Sequence, residues 1–138
     1  MVRKVAGIFG IGFLLVAVLG FFTPGGMSME ADPARAGHVL GLFPVNLLHN
    51  IVHLIFGIWG LAASRSWSGA RSYARITGPL YLLLAVLGYF VPNGFGVVPL
   101  GGHDIWLHVL IGAVLTAVGY TAAATEPGTM RAGAAARA

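Results

Sequence analysis

Val5 to Phe22 is a run of 18 residues without a charge, about the minimum length that crosses a bilayer as a helix. Nothing else in the chain narrows its fold so far. In hydrocarbon every backbone N–H and C=O must be bonded inside the segment, and a helix achieves that. Further apolar runs follow, and the pattern predicts four helices at about 5–22, 45–63, 76–91 and 103–124. Charged residues make up 9% of the 138 residues and hydrophobic ones 57%, whereas a soluble domain carries about 25% charged residues. The expectation is an all-α transmembrane protein: one membrane domain over residues 1–138, ending in a low-complexity, flexible tail at 125–138. A signal peptide is the competing reading of the first run, which has Arg3 and Lys4 before it and Ala34-Arg-Ala36 as a cleavage-like site after it.

A repeat argues against a disposable leader. Ala17-Val-Leu-Gly-Phe-Phe-Thr-Pro24 returns as Ala85-Val-Leu-Gly-Tyr-Phe-Val-Pro92, and Gly10 and Gly26 return as Gly78 and Gly94, each displaced by 68 positions. A second set, Gly41, Pro44, His53 and Gly57, returns as Gly96, Pro99, His108 and Gly112, displaced by 55. The difference of 13 is an insertion in the first connecting loop. The chain therefore reads as a four-helix bundle built from a duplicated helical hairpin. Each half has an even number of spans, so the halves are parallel and related by an axis along the membrane normal.

Arg3, Lys4, Arg65, Arg71, Arg75, Arg131 and Arg137 fall on one side of such a chain, and only Arg35 on the other. The positive-inside rule then predicts a multi-pass protein of the bacterial inner (plasma) membrane with both termini cytoplasmic. The net charge of +4 does not imply nucleic acid, because the basic residues edge apolar runs and form no stripe. Trp67 and Tyr73 suit an interface belt, and Pro44 suits the first turn of helix 2.

The residues that invite chemistry are the histidines. His49 and His53 stand four apart in Leu42-Phe-Pro-Val-Asn-Leu-Leu-His-Asn-Ile-Val-His-Leu-Ile-Phe-Gly57, one above the other on a helix face. In the second half Asp104 takes the place of His49, and His108 that of His53. His53 and His108 each follow their proline by nine residues, which is about 13 Å along a helix and close to the bilayer midplane. Ionisable groups at that depth face a bundle interior or a wet cavity. Three readings remain open. The four side chains can be a structural polar cluster whose hydrogen bonds tie helices together. His49, His53, Asp104 and His108 can bind a transition metal such as zinc, iron, copper or manganese. His53 and His108 alone can ligate haem b, although no basic pair stands ready for its propionates. A proton or substrate path is a further use of the same groups. There is no cysteine, which excludes disulfides, iron–sulfur clusters and thiolate sites. No nucleophile elbow, P-loop or dinucleotide fingerprint is present.

The block Pro44-x-Asn46-x-x-His49-x-x-x-His53, with His108-x-x-x-Gly112 in the second half, resembles the bacterial family of small four-helix membrane proteins catalogued as domain of unknown function DUF4383, over about residues 3–124. The resemblance implies four spans and no assigned activity. The function expected from all of this is a small non-enzymatic membrane protein with a buried histidine cluster, in contact with lipid and serving as a subunit of a larger membrane complex. The alternative is a metal- or haem-binding redox or transport component.

Overall fold

The computed structural model describes residues 1–126; residues 127–138, and with them most of the expected tail, lie outside it. Among the described residues the chain is mostly helical. Its elements are α1 (Val2–Phe22), β1 (Gly37–Val39), β2 (Phe43–Val45), α2 (Leu47–Ala63), α3 (Trp67–Phe90) and α4 (Asp104–Thr121), with one 3₁₀ turn at Gly94–Gly96. With 21, 24 and 18 residues, α1, α3 and α4 are long and apolar enough to cross a membrane, whereas α2 is an apolar helix of 17.

Two boundaries differ from the sequence expectation for clear reasons. Ser66 caps α3 by accepting the Gly69 N–H at 3.0 Å, so the helix starts at Trp67 rather than 76. The segment 64–75 is thus mostly helix. Tyr73 is consequently not an interface anchor but fully buried, edge-on to Trp59 with centroids 5.0 Å apart. Pro44 is not in the first turn of α2. It sits in β2 opposite His38, in a two-stranded antiparallel hairpin. Leu40 and Gly41 supply the positive φ values, 55° and 71°, that a tight primed hairpin turn needs. The Leu42 N–H closes it on the Val39 carbonyl at 3.1 Å. On the same loop Asp32 accepts the Ala34 N–H and pairs with Arg35, and together these hold its carboxyl below the usual carboxylate range.

α1 packs chiefly on α2, and α3 on α4. Glycine makes both contacts close. A Cβ on Gly10 would lie 2.7 Å from the Leu61 backbone nitrogen, and one on Gly57 would lie 2.9 Å from that of Leu14. In the other pair a Cβ on Gly78 would collide with the Thr116 backbone nitrogen, and one on Gly112 would lie 2.8 Å from that of Leu82. Such approaches let helices pack where bilayer lipid offers them no hydrophobic drive to associate. The far ends are tied as well. Arg3 Nε donates to the Ser64 carbonyl at 3.0 Å, and Arg71 Nε to that of Ala122 at 3.1 Å. Ser64 and Ala122 are the C-caps of α2 and α4, where basic side chains satisfy the last carbonyls. Large hydrophobics such as Ile8, Leu15, Ile55, Leu83 and Leu110 are exposed on the outside of the helices.

Candidate metal centre

The centre begins at the junction of β2 and α2. A single residue, Asn46, separates strand from helix, and its extended backbone starts the helix in a fixed direction. Its side chain accepts the His49 N–H at 2.9 Å and donates to the Val97 carbonyl at 2.9 Å. This places His49 in the first turn of α2 with its ring turned back to the strand it has just left. His49 Nδ1 lies 3.1 Å from the Pro44 carbonyl. A carbonyl can only accept, so Nδ1 carries the proton and Nε2 keeps the lone pair.

Asn46→Ala is therefore expected to cost more than an ordinary helix cap. It removes the cap and leaves the Val97 carbonyl without its donor, a loss of about 1–2 kcal/mol. Unfolding in detergent followed by circular dichroism measures it. A change indistinguishable from zero would show that the junction does not depend on this side chain.

Asp104 opens α4, directly after His103, and His108 follows one turn later. His49, Asp104 and His108 are all buried, and each offers a ligand atom within 4.8 Å of the others. His49 Nδ1 is 3.8 Å from Asp104 Oδ2, too far for a hydrogen bond. His53 stands beside this trio. Its ring is 4.5 Å from that of His49, centroid to centroid, and it stacks on Phe13 at 5.6 Å. His108 meets Tyr81 edge-on at 5.2 Å, and Phe13 and Tyr81 touch at 5.2 Å. Of the four residues singled out in the sequence, three thus converge on one point and the fourth packs against them. His103 lies at the mouth, its Nδ1 accepting from Trp106 Nε1 at 3.2 Å. His38 is held in β1.

His53 Nδ1, His108 Nδ1 and Asp104 Oδ2 are buried and have no hydrogen-bond partner. Leaving such atoms unsatisfied costs about 1–3 kcal/mol each, more for a charged group. Two imidazoles and a carboxylate with ligand atoms within 4.8 Å of one another, one imidazole held by a backbone carbonyl, form a donor set that suits zinc, iron, copper or manganese. Haem fits less well. The ring of His49 is packed 4.5 Å from that of His53 and 6.3 Å from that of His108, and Phe13 and Tyr81 flank the same two histidines.

The sequence did not single out Asn46 as a cap, the Pro44 carbonyl as a partner of His49, or the Phe13–Tyr81 contact. The last was within reach: Phe13 and Tyr81 are 68 positions apart, the displacement already found for Gly10 and Gly78.

Comparison with known proteins supplies a family and nothing more. The family model described as a domain of unknown function, DUF4383, matches residues 3–121, and the chain belongs to that family. No curated protein and no solved structure matches it.

Proposed function

We propose that this member of the DUF4383 family is a four-span membrane protein, made of two copies of one helical hairpin, that holds a single transition-metal ion at His49, Asp104 and His108. The observation that carries the reading is the unsatisfied polarity of the cluster. A cluster kept for tying helices together would spend its polar atoms on hydrogen bonds. Here His108 Nδ1 and Asp104 Oδ2 have none, while His49, Asp104 and His108 bring three ligand atoms within 4.8 Å of one another. A bound ion would act as a Lewis acid or redox centre in a water-poor site.

The duplication is supported by contacts that repeat with the sequence displacements. Gly10 meets Leu61 as Gly78 meets Thr116, and Gly57 meets Leu14 as Gly112 meets Leu82. Phe13 stacks on His53 as Tyr81 meets His108. Arg3 reaches the end of α2 as Arg71 reaches the end of α4. The four-span topology, with both termini cytoplasmic, rests on the placement of the basic residues. Cysteines introduced at Ser28 and Ser68 are expected to react with an impermeant maleimide from opposite faces, Ser28 from outside. Labelling of both from one face would overturn the topology.

The metal reading is tested by elemental analysis and absorption spectroscopy of protein purified in mild detergent without chelators. About one ion per chain, removable by a chelator, is expected. A metal-free preparation that takes up no zinc, iron, copper or manganese would end the reading.

A further inference from the structure

Because α1 packs on α2 and α3 on α4, the seam between α1 and α4 closes only lightly. A cavity of about 390 Å³ occupies it, within the range of small-molecule sites. Its α1 wall runs from Ile8 to Leu19, about 17 Å along the helix. Ile8, Gly12 and Leu19 on that wall are exposed on the outer surface, so the seam opens sideways, toward lipid in a membrane-spanning chain. The β-hairpin roofs it through Val39, Leu40 and Phe43. The lining is apolar except for His53, Asp104 and His108, and His53 Nδ1, Asp104 Oδ2 and His108 Nδ1 are buried without a hydrogen-bond partner. His49 is not part of the lining.

We propose that this seam binds a lipophilic para-quinol that enters from the bilayer and places its ring hydroxyls at His53 and Asp104. The inference rests on the membrane-spanning reading and shares Asp104 and His108 with the proposed metal centre. The walls that meet the head group carry the rings of Phe9, Phe13 and Phe43, which favour a flat ring. The polar groups fix its chemistry. A neutral imidazole can donate or accept and a carboxylate accepts, so a ring hydroxyl, which does both, satisfies either. A plain alkyl chain would leave the three polar side chains unpaired. The length of the seam, parallel to neighbouring acyl chains, leaves room for an alkyl tail.

The test is equilibrium binding of decyl-substituted para-benzoquinol to the full chain in nanodiscs. A Cβ on Gly12 has nothing within 4 Å, so Gly12→Trp fills the seam from its open side without a backbone collision, and Gly12→Leu serves if tryptophan disturbs folding. Saturable binding is expected for the native protein with or without metal, weakened about tenfold or more by either Gly12 variant while any bound metal is retained. His49→Ala is expected to do the reverse, losing metal and keeping the quinol. The dimethyl ether of the same quinol is expected to bind about tenfold more weakly, the worth of a hydrogen bond. Native-like affinity in the Gly12 variants would overturn the proposal. So would decanol, decanoate or the ether binding as tightly as the quinol. Because the probe is read in metal-free protein too, failure of the metal centre and failure of this site give different results.

Discussion

Replacing His108 by alanine is expected to strip the ion from the purified protein, with affinity falling by about 100-fold or more. The reason is geometric. His49, Asp104 and His108 supply three ligand atoms within 4.8 Å, and all three side chains are buried. Solvent cannot step into a vacated position there as it would at an exposed site. His49→Ala should have the same effect, and Asp104→Asn a comparable one, since it removes the only negative charge in the trio. His103→Ala should leave binding close to native, because that side chain faces Trp106 at the rim. His53→Ala separates two arrangements. His53 is packed on His49 but outside the trio, so its loss should weaken binding by no more than about tenfold, as expected of a neighbour that orients a ligand. Loss of metal from His53→Ala equal to that from His108→Ala would show that the ion sits lower, between those two rings. Retention of metal by both His49→Ala and His108→Ala would place it elsewhere altogether.

The second large effect is expected in the helix contacts. Valine at Gly10 would drive its Cβ onto the Leu61 nitrogen at 2.7 Å and the Gly57 carbonyl oxygen at 3.0 Å. These are backbone atoms of a helix and cannot swing aside. Valine at Gly78 would meet the Thr116 backbone in the same way. Each change should cost at least about 1–3 kcal/mol, the range for overpacking in a well-packed interior, and both should cost similar amounts. Gly12→Ala is the control. It lies on the same helix as Gly10, but its Cβ would meet nothing within 4 Å, so stability should be unchanged or slightly higher. Unfolding in mixed micelles, followed by circular dichroism, measures all three. A Gly78→Val protein as stable as native would show that the α3–α4 contact relaxes freely, and the likeness of the two hairpins would lose its energetic meaning.

Much of this was legible in the sequence because membrane helices obey one dominant rule. Charge-free runs marked α1 and α4 closely, and the recurrence of Gly10, Gly57, His53 and Pro24 drew attention to the residues that pack. Three things were not legible. The start of α3 was hidden because Arg71 and Arg75 look like loop residues in a membrane pattern, while Ser66 caps the helix and Arg71 and Arg75 find partners in the Ala122 carbonyl and the Tyr120 ring. The hairpin was hidden because strands of three residues carry almost no periodic signal, and Pro44 is equally at home in a first helical turn or an edge strand. The grouping at the site was only half legible. Spacing puts His49 and His53 on one face of α2, but which of them meets Asp104 and His108 depends on how the two hairpins lean together, and no one-dimensional pattern holds that angle.

The Pro44 carbonyl links two parts of the molecule that would otherwise be mechanically separate. It belongs to a strand of the outer hairpin, and it is bonded at 3.1 Å to the imidazole that faces Asp104. Between them lies one short rigid path: strand, Asn46, first helical turn. The exposed turn at Leu40 and the buried cluster are thus joined by one hydrogen bond and one intervening residue, Asn46.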